Sequence, residues 1–95
     1  MVNQNKSVRL SIAGKVQGVY YRNWTVTNAR QFNLSGWVRN RLDGSVEAVL
    51  CGEEHQVLTM IDACWQGPSA ARVDSIQIED CAPPPGSDFK KLPTA

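Results

Sequence analysis

The sequence contains one histidine and three cysteines. Cys51, Cys64 and Cys81 stand 13 and 17 residues apart, so no C-x-x-C pair exists. A structural zinc site draws four ligands mainly from cysteine and histidine, and His55 alone cannot complete such a set. An odd number of cysteines suits free, buried thiols, and a disulfide between two of them stays open. No apolar run approaches the roughly 18 residues that a membrane span requires. The opening residues, Met1 to Ser7, lack an apolar signal segment. The expectation is a cytoplasmic protein with reduced thiols and no membrane partner. Acidic residues are missing from the first 42 positions, which carry Lys6, Arg9, Lys15, Arg22, Arg30, Arg39 and Arg41.

What is present is an ordinary globular composition, 42% hydrophobic and 20% charged over 95 residues. That length suits one domain, residues 1–95. A chain of this size buries about 60–65% of its unfolded surface, enough for a modest core. All nine acids lie between Asp43 and Asp88, with Arg72 the one base among them. The asymmetry has two readings. The basic half faces an anion, or the halves interleave in space and neutralise each other.

Periodicity places the elements. Val8, Leu10 and Ile12 alternate with Ser7, Arg9 and Ser11, a half-buried strand over Ser7–Ala13 that Gly14 ends. A helix is predicted from Arg22 to Phe32, with Thr25, Ala29 and Phe32 on one stripe and Val26 beside it. Asn33 suits a left-handed helix end. Leu34–Asn40 and Ser45–Cys51 read as strands joined by a turn with Asp43-Gly44, a strong hairpin signal. Gly52 is expected to break the second of them. Glu53 and Glu54 open a helix whose core face is Val57, Leu58, Ile61, Cys64 and Trp65, and Gly67-Pro68 stops it. Arg72–Asp80 is a strand with Ile76 and Ile78 in phase and Val73 out of phase. After a proline-rich connector, Ser87–Leu92 forms a short edge strand with Phe89 inward and Lys90 and Lys91 guarding the edge. The order βαββαβ, with a possible fifth strand, is an α+β, ferredoxin-like sandwich. The expected sheet is antiparallel, of four to five strands, with two helices on one face.

The informative stretch joins the first strand to the first helix: Gly14-Lys15-Val16-Gln17-Gly18-Val19-Tyr20-Tyr21-Arg22. The first N–H groups of a helix lack partners and, with the helix dipole, form an anion site. Glycine lets a loop curl so that successive N–H groups converge. A nearby arginine presents a planar fork that matches two phosphate oxygens. Taken alone, the same loop also serves as a plain turn, and Arg22 as a surface arginine. Asn40 closes a strand before a hairpin, where asparagine also bonds its own backbone.

These residues resemble the signature of the acylphosphatases. So does Gly36-Trp37-Val38-Arg39-Asn40 followed by Asp43-Gly44-Ser45-Val46-Glu47, with a spacing of 18 from Arg22 to Asn40. The link Gly67 to Val73, Phe89 and the ending Leu92-Pro93-Thr94 are similar as well. The likeness runs over residues 7–94. It implies hydrolysis of acyl phosphates to a carboxylate and inorganic phosphate, by water, with no metal, cofactor or phosphoenzyme. It further implies that Arg22 and the backbone of Lys15, Val16, Gln17, Gly18, Val19 and Tyr20 hold the phosphate, while Asn40 orients the attacking water. Asn33 departs from the family's usual glycine, and Arg41 is a large charge directly after Asn40.

The chemistry is consistent with these residues. An acyl phosphate leaves as a carboxylate whose conjugate acid has a pKa of about 4, so no general acid is required. Ferredoxin-like sheets also bind single-stranded RNA on exposed aromatics. Here the first strand offers Ser7, Arg9 and Ser11 on its outer face, so no nucleic-acid partner is expected. A domain that binds acyl or carbamoyl phosphate without turnover is the other alternative. The expected partner is a small acyl phosphate, and the expected state is a monomer.

Overall fold

A computed structural model describes residues 5–95. Seven elements follow in order: β1 Asn5–Lys15, α1 Tyr21–Gln31, β2 Ser35–Asn40, β3 Val46–Glu53, α2 Glu54–Gln66, β4 Arg72–Asp80 and β5 Phe89–Lys91. The strands form one sheet in the order β4-β1-β3-β2-β5. Both helices lie on one face of it and touch each other. This is the ferredoxin-like plan.

The alternation in β1 has the predicted consequence. Val8, Leu10 and Ile12 are fully buried, while Arg9 and Ser11 are exposed on the other face. Opposite them, Val46, Ala48 and Leu50 of β3 are equally buried, paired with Ile12, Leu10 and Val8. Helix α1 adds Tyr21, Thr25 and Ala29 to this core, and α2 adds Val57, Met60, Ile61 and Cys64. Burying such side chains contributes about 1.5–3 kcal/mol each for the larger aliphatics. Asn33 ends α1 with a φ of 58°, the left-handed conformation that its side chain tolerates.

Several local expectations are corrected. Gly52 does not end β3, which continues to Glu53. A Cβ at Gly52 would meet Leu34 Cδ2 at 2.7 Å, so glycine there makes room for a core leucine. On α2 the buried stripe includes Met60, whereas Leu58 and Trp65 are 49% and 46% exposed. Positions 57, 60, 61 and 64 follow i, i+3, i+4, i+7, which leaves 58 and 65 at the stripe's margin. The phase break in β4 is a β-bulge. Ala13 pairs with Ser75 but Gly14 with Val73, which leaves Asp74 as the extra residue. The slip lets Val73 and Ile76 both pack on the core, while Ile78 is half exposed.

The sheet is mixed. β5 pairs with β2 in parallel, Gly36 opposite Phe89 and Val38 opposite Lys91. The connector from Cys81 to Asp88 turns the chain back, so β5 runs opposite to β4 and therefore along β2. Phe89 is fully buried, and Lys90 and Lys91 are exposed on that edge.

Candidate active site

The loop between β1 and α1 takes its shape from two left-handed residues. Gly18 has a φ of 72°, with open space where a Cβ would stand. Tyr20, the N-cap of α1, has φ 72° and ψ 15°. A non-glycine residue in this region costs on the order of 1–2 kcal/mol. Val19 between them is not left-handed. Alternating backbone handedness turns successive N–H groups toward one side, the geometry of an anion nest. In the turns and caps of the described residues, no backbone N–H from Gln17 to Asn23 donates to another backbone group. No side chain caps α1 either. Those donors are left for a ligand or water.

Gly14 has a different task from the one expected. It lies inside β1, and a Cβ there would meet Arg72 O at 2.1 Å. Glycine at this position permits the close approach of β4 at the bulge. Gly18 and Tyr20 curl the loop.

The loop, the start of α1, the end of β2 and the end of β5 enclose a cleft of about 100 Å³. Its lining is Val16, Gly18, Tyr20, Tyr21, Arg22, Asn23, Asn40 and Lys91. Arg22 and Asn40 thus share one cleft. Among the remaining candidates, Val16 and Val19 turn buried side chains into the core, and Lys15 is exposed at the end of β1. The side chain of Gln17 is engaged elsewhere: Nε2 donates to Arg41 O at 2.8 Å and to Ser45 O at 2.9 Å. Val16, Gln17 and Val19 can therefore serve a ligand here through backbone N–H groups alone, and Lys15, paired with Arg72 in the sheet, lies outside the cleft lining.

Asn40 is the last residue of β2, paired with Val46. Its carbonyl accepts from Ala95 N at 3.0 Å, which holds the backbone. Its side-chain oxygen Oδ1 is buried and has no hydrogen-bond partner among the described residues. Buried polar atoms are nearly always satisfied, so an orphaned acceptor marks a place for water or ligand. Arg22 and Lys91 form no ion pair among the described residues, and no carboxylate lines the cleft. With the N-terminus of α1 pointing in, the cleft is electropositive.

Comparison with known proteins places the chain in a family. A sequence profile of the acylphosphatase family matches residues 8–91. An acylphosphatase from Rhodospirillum rubrum is 47% identical over 89 residues, 94% of this chain and 98% of that one. The solved acylphosphatase of Coxiella burnetii superposes with a TM-score of 0.89 at 33% identity, covering 95% of this chain and 94% of that one. A full-length HypF, in a phosphate- and nucleotide-bound form, matches 99% of this chain with 13% of its own, at a TM-score of 0.89 and 28% identity. The chain belongs to the acylphosphatase family.

In this acylphosphatase-family chain the cleft is backed by packing between the two helices. Tyr21 does much of that work. It is 2% exposed and its hydroxyl donates to Cys64 O at 2.6 Å, tying the start of α1 to the end of α2. Burial drives its ionisation far above the ordinary tyrosine range. Trp24 tilts against Tyr21 with ring centroids 5.4 Å apart, which gives that tryptophan a packing role. A Cβ on Gly67 would meet Tyr21 Cε2 at 2.7 Å, so the glycine after α2 also leaves space for the ring. Burial pushes the Cys64 thiol up to about 12, so it stays neutral and acts as a small apolar residue.

The hairpin behind Asn40 is closed by Asp43, whose Oδ1 accepts from Ser45 N at 2.9 Å and Ser45 Oγ at 2.6 Å. Those bonds hold the Asp43 carboxyl below its ordinary range. Arg41 does not reach the cleft. It donates to Glu47 Oε1 at 3.1 Å on the helix-free face. His55 is exposed on α2. Lys91 escaped the sequence reading except as an edge charge, because only the parallel pairing of β5 brings it beside Asn40.

Proposed function

We propose that this chain hydrolyses the carboxyl-phosphate bond of acyl phosphates by direct attack of water. Family membership makes it a hydrolase of acyl phosphates. Arg22 and the unpaired N–H groups of the loop hold the phosphoryl oxygens. Phosphoryl transfer passes through a loose transition state with charge spread over the equatorial oxygens. Fixed donors aimed at that charge contribute about 3–4 kcal/mol each. The water donates a hydrogen bond to Asn40 Oδ1, which turns a lone pair toward phosphorus. The leaving carboxylate departs without protonation, consistent with a cleft lined by no carboxylic acid or imidazole.

The observation that carries this reading is the orphaned, buried Oδ1 of Asn40 in the cleft that holds Arg22. A pure phosphate binder has no use for it. No carboxylate, thiol, imidazole or serine hydroxyl lines the cleft. This supports attack by water over a phosphoenzyme, and a reaction that draws on no metal. The proposal extends to a monomer in the cytoplasm, where three free thiols are at home. No described helix is long and apolar enough to cross a membrane.

The test is hydrolysis of benzoyl phosphate by the purified protein with EDTA present. Turnover inhibited by inorganic phosphate is expected. Phosphate binding without turnover would replace the enzyme with a binding domain.

A further inference from the structure

The phosphate loop and Asn40 belong to different elements, and something must set the distance between them. Among the described residues, the side chains from Lys15 to Tyr20 make only two hydrogen bonds, both from Gln17. One carboxamide nitrogen uses both of its protons on the neck of the β2–β3 hairpin. Arg41 O accepts at 2.8 Å and Ser45 O at 2.9 Å. That neck is itself closed by Arg41 N donating to Ser45 O at 2.8 Å. Gln17 therefore spans the two ends of the hairpin and grips it one peptide bond beyond Asn40. The backbone N–H groups of the loop make no compensating contacts in the turns and caps. The sheet links the two through Val46, which pairs with both Ile12 and Asn40, and the clasp adds the one side-chain hydrogen-bond link from the loop itself to that strand end among the described residues.

We propose that the Gln17 side chain is a positioning residue that fixes Asn40 relative to the phosphate loop and acts on turnover through Asn40. The chemistry needs a primary amide of this length. Two donors on one nitrogen match two carbonyls, while glutamate offers acceptors to acceptors and methionine offers neither. The contact does not touch the phosphate, since Gln17's side chain is absent from the cleft lining. A fault in the clasp therefore displaces the attacking water before it weakens phosphate binding. A displacement of about 1 Å can cost on the order of 100-fold in rate.

This inference rests on the hydrolytic reading, and a double-mutant cycle separates the two. Benzoyl phosphate turnover by the wild type comes first. If that is absent, the hydrolytic reading fails and takes this one with it. Given turnover, Gln17→Met should lower kcat by about 10- to 100-fold and change the inhibition constant of inorganic phosphate by less than about 3-fold. In an Asn40→Ala background the same change should lower kcat by less than about 3-fold, because the group it positions is gone. Gln17→Glu, the second variant, should lower kcat further than Gln17→Met. Additive effects in the cycle would overturn the proposal. So would equal losses of kcat and phosphate affinity, which would make Gln17 part of the nest. Loss of the folded state in both variants, read by thermal melting, would assign the contact to folding and overturn it as well.

Discussion

The two faces of the sheet treat their arginines differently. On the helix-free face, Arg9, Arg39 and Arg41 converge on Glu47, whose side chain is 5% exposed. Arg9 reaches Glu79 as well, and Arg39 also lies over the Trp37 ring, 4.9 Å from its centroid. On the helix face, Arg22 and Lys91 line a cleft without a carboxylate. A charge with a protein partner is spent on the fold, and a charge without one is available to a ligand. The basic first half of the sequence therefore answers to both of its readings. Most of its arginines neutralise acids from the second half. Arg22 is held apart.

Four substitutions sharpen or break that contrast. The largest effect should come from Arg22→Ala, with kcat/KM for benzoyl phosphate down about 1,000-fold or more and phosphate inhibition weakened in parallel. Steady-state kinetics with phosphate as competitor checks both. Next is Asn40→Ala, expected to lower kcat about 100-fold while phosphate inhibition stays within about 3-fold. Equal loss of binding in the two variants would abolish the division of labour between them. Third is Glu47→Gln, which leaves three arginines crowded on the other face. Urea unfolding should show a loss of about 1–3 kcal/mol, discounted for the exposure of the arginines, with kcat within about 2-fold of wild type. A large fall in kcat without loss of stability would mean that the paired face also serves catalysis. The smallest effect is that of Lys91→Ala. An exposed cation contributes about 1 kcal/mol or less, so phosphate inhibition should weaken by about 3- to 5-fold. No change at all would show that the unpaired state of Lys91 has no bearing on the ligand.

Much of this was legible in the residues. The alternation in β1 gave its core face, and Asp43-Gly44 marked the hairpin, because these depend on neighbours in sequence. Phe89 was correctly turned inward for the same reason. The resemblance to acylphosphatases carried the Arg22 and Asn40 expectations, which the cleft brings together without testing their roles. Other features were hidden. The buried stripe of α2 includes Met60 rather than Leu58 because the margin of a helical face is set by what it packs on. The break of phase at Val73 is a bulge, visible only against β1. Gly14 looked like part of the phosphate loop but serves the approach of β4. Tyr20's left-handed backbone had no signal at all, since tyrosine does not ordinarily adopt it.

By itself the sequence determined the elements, their order and the loop-and-helix start that suits an anion. Those follow from periodicity, turn chemistry and donors left over at a helix end, all of them local. The tertiary structure decided which charges are free. Arg22, Arg39 and Arg41 are alike as residues, and pairing with Glu47 separates them. It also decided that Lys91 and Asn40 meet, through the parallel pairing of β5 with β2. Electrostatic partnership and burial are relations between distant segments, and only the folded chain brings those segments together.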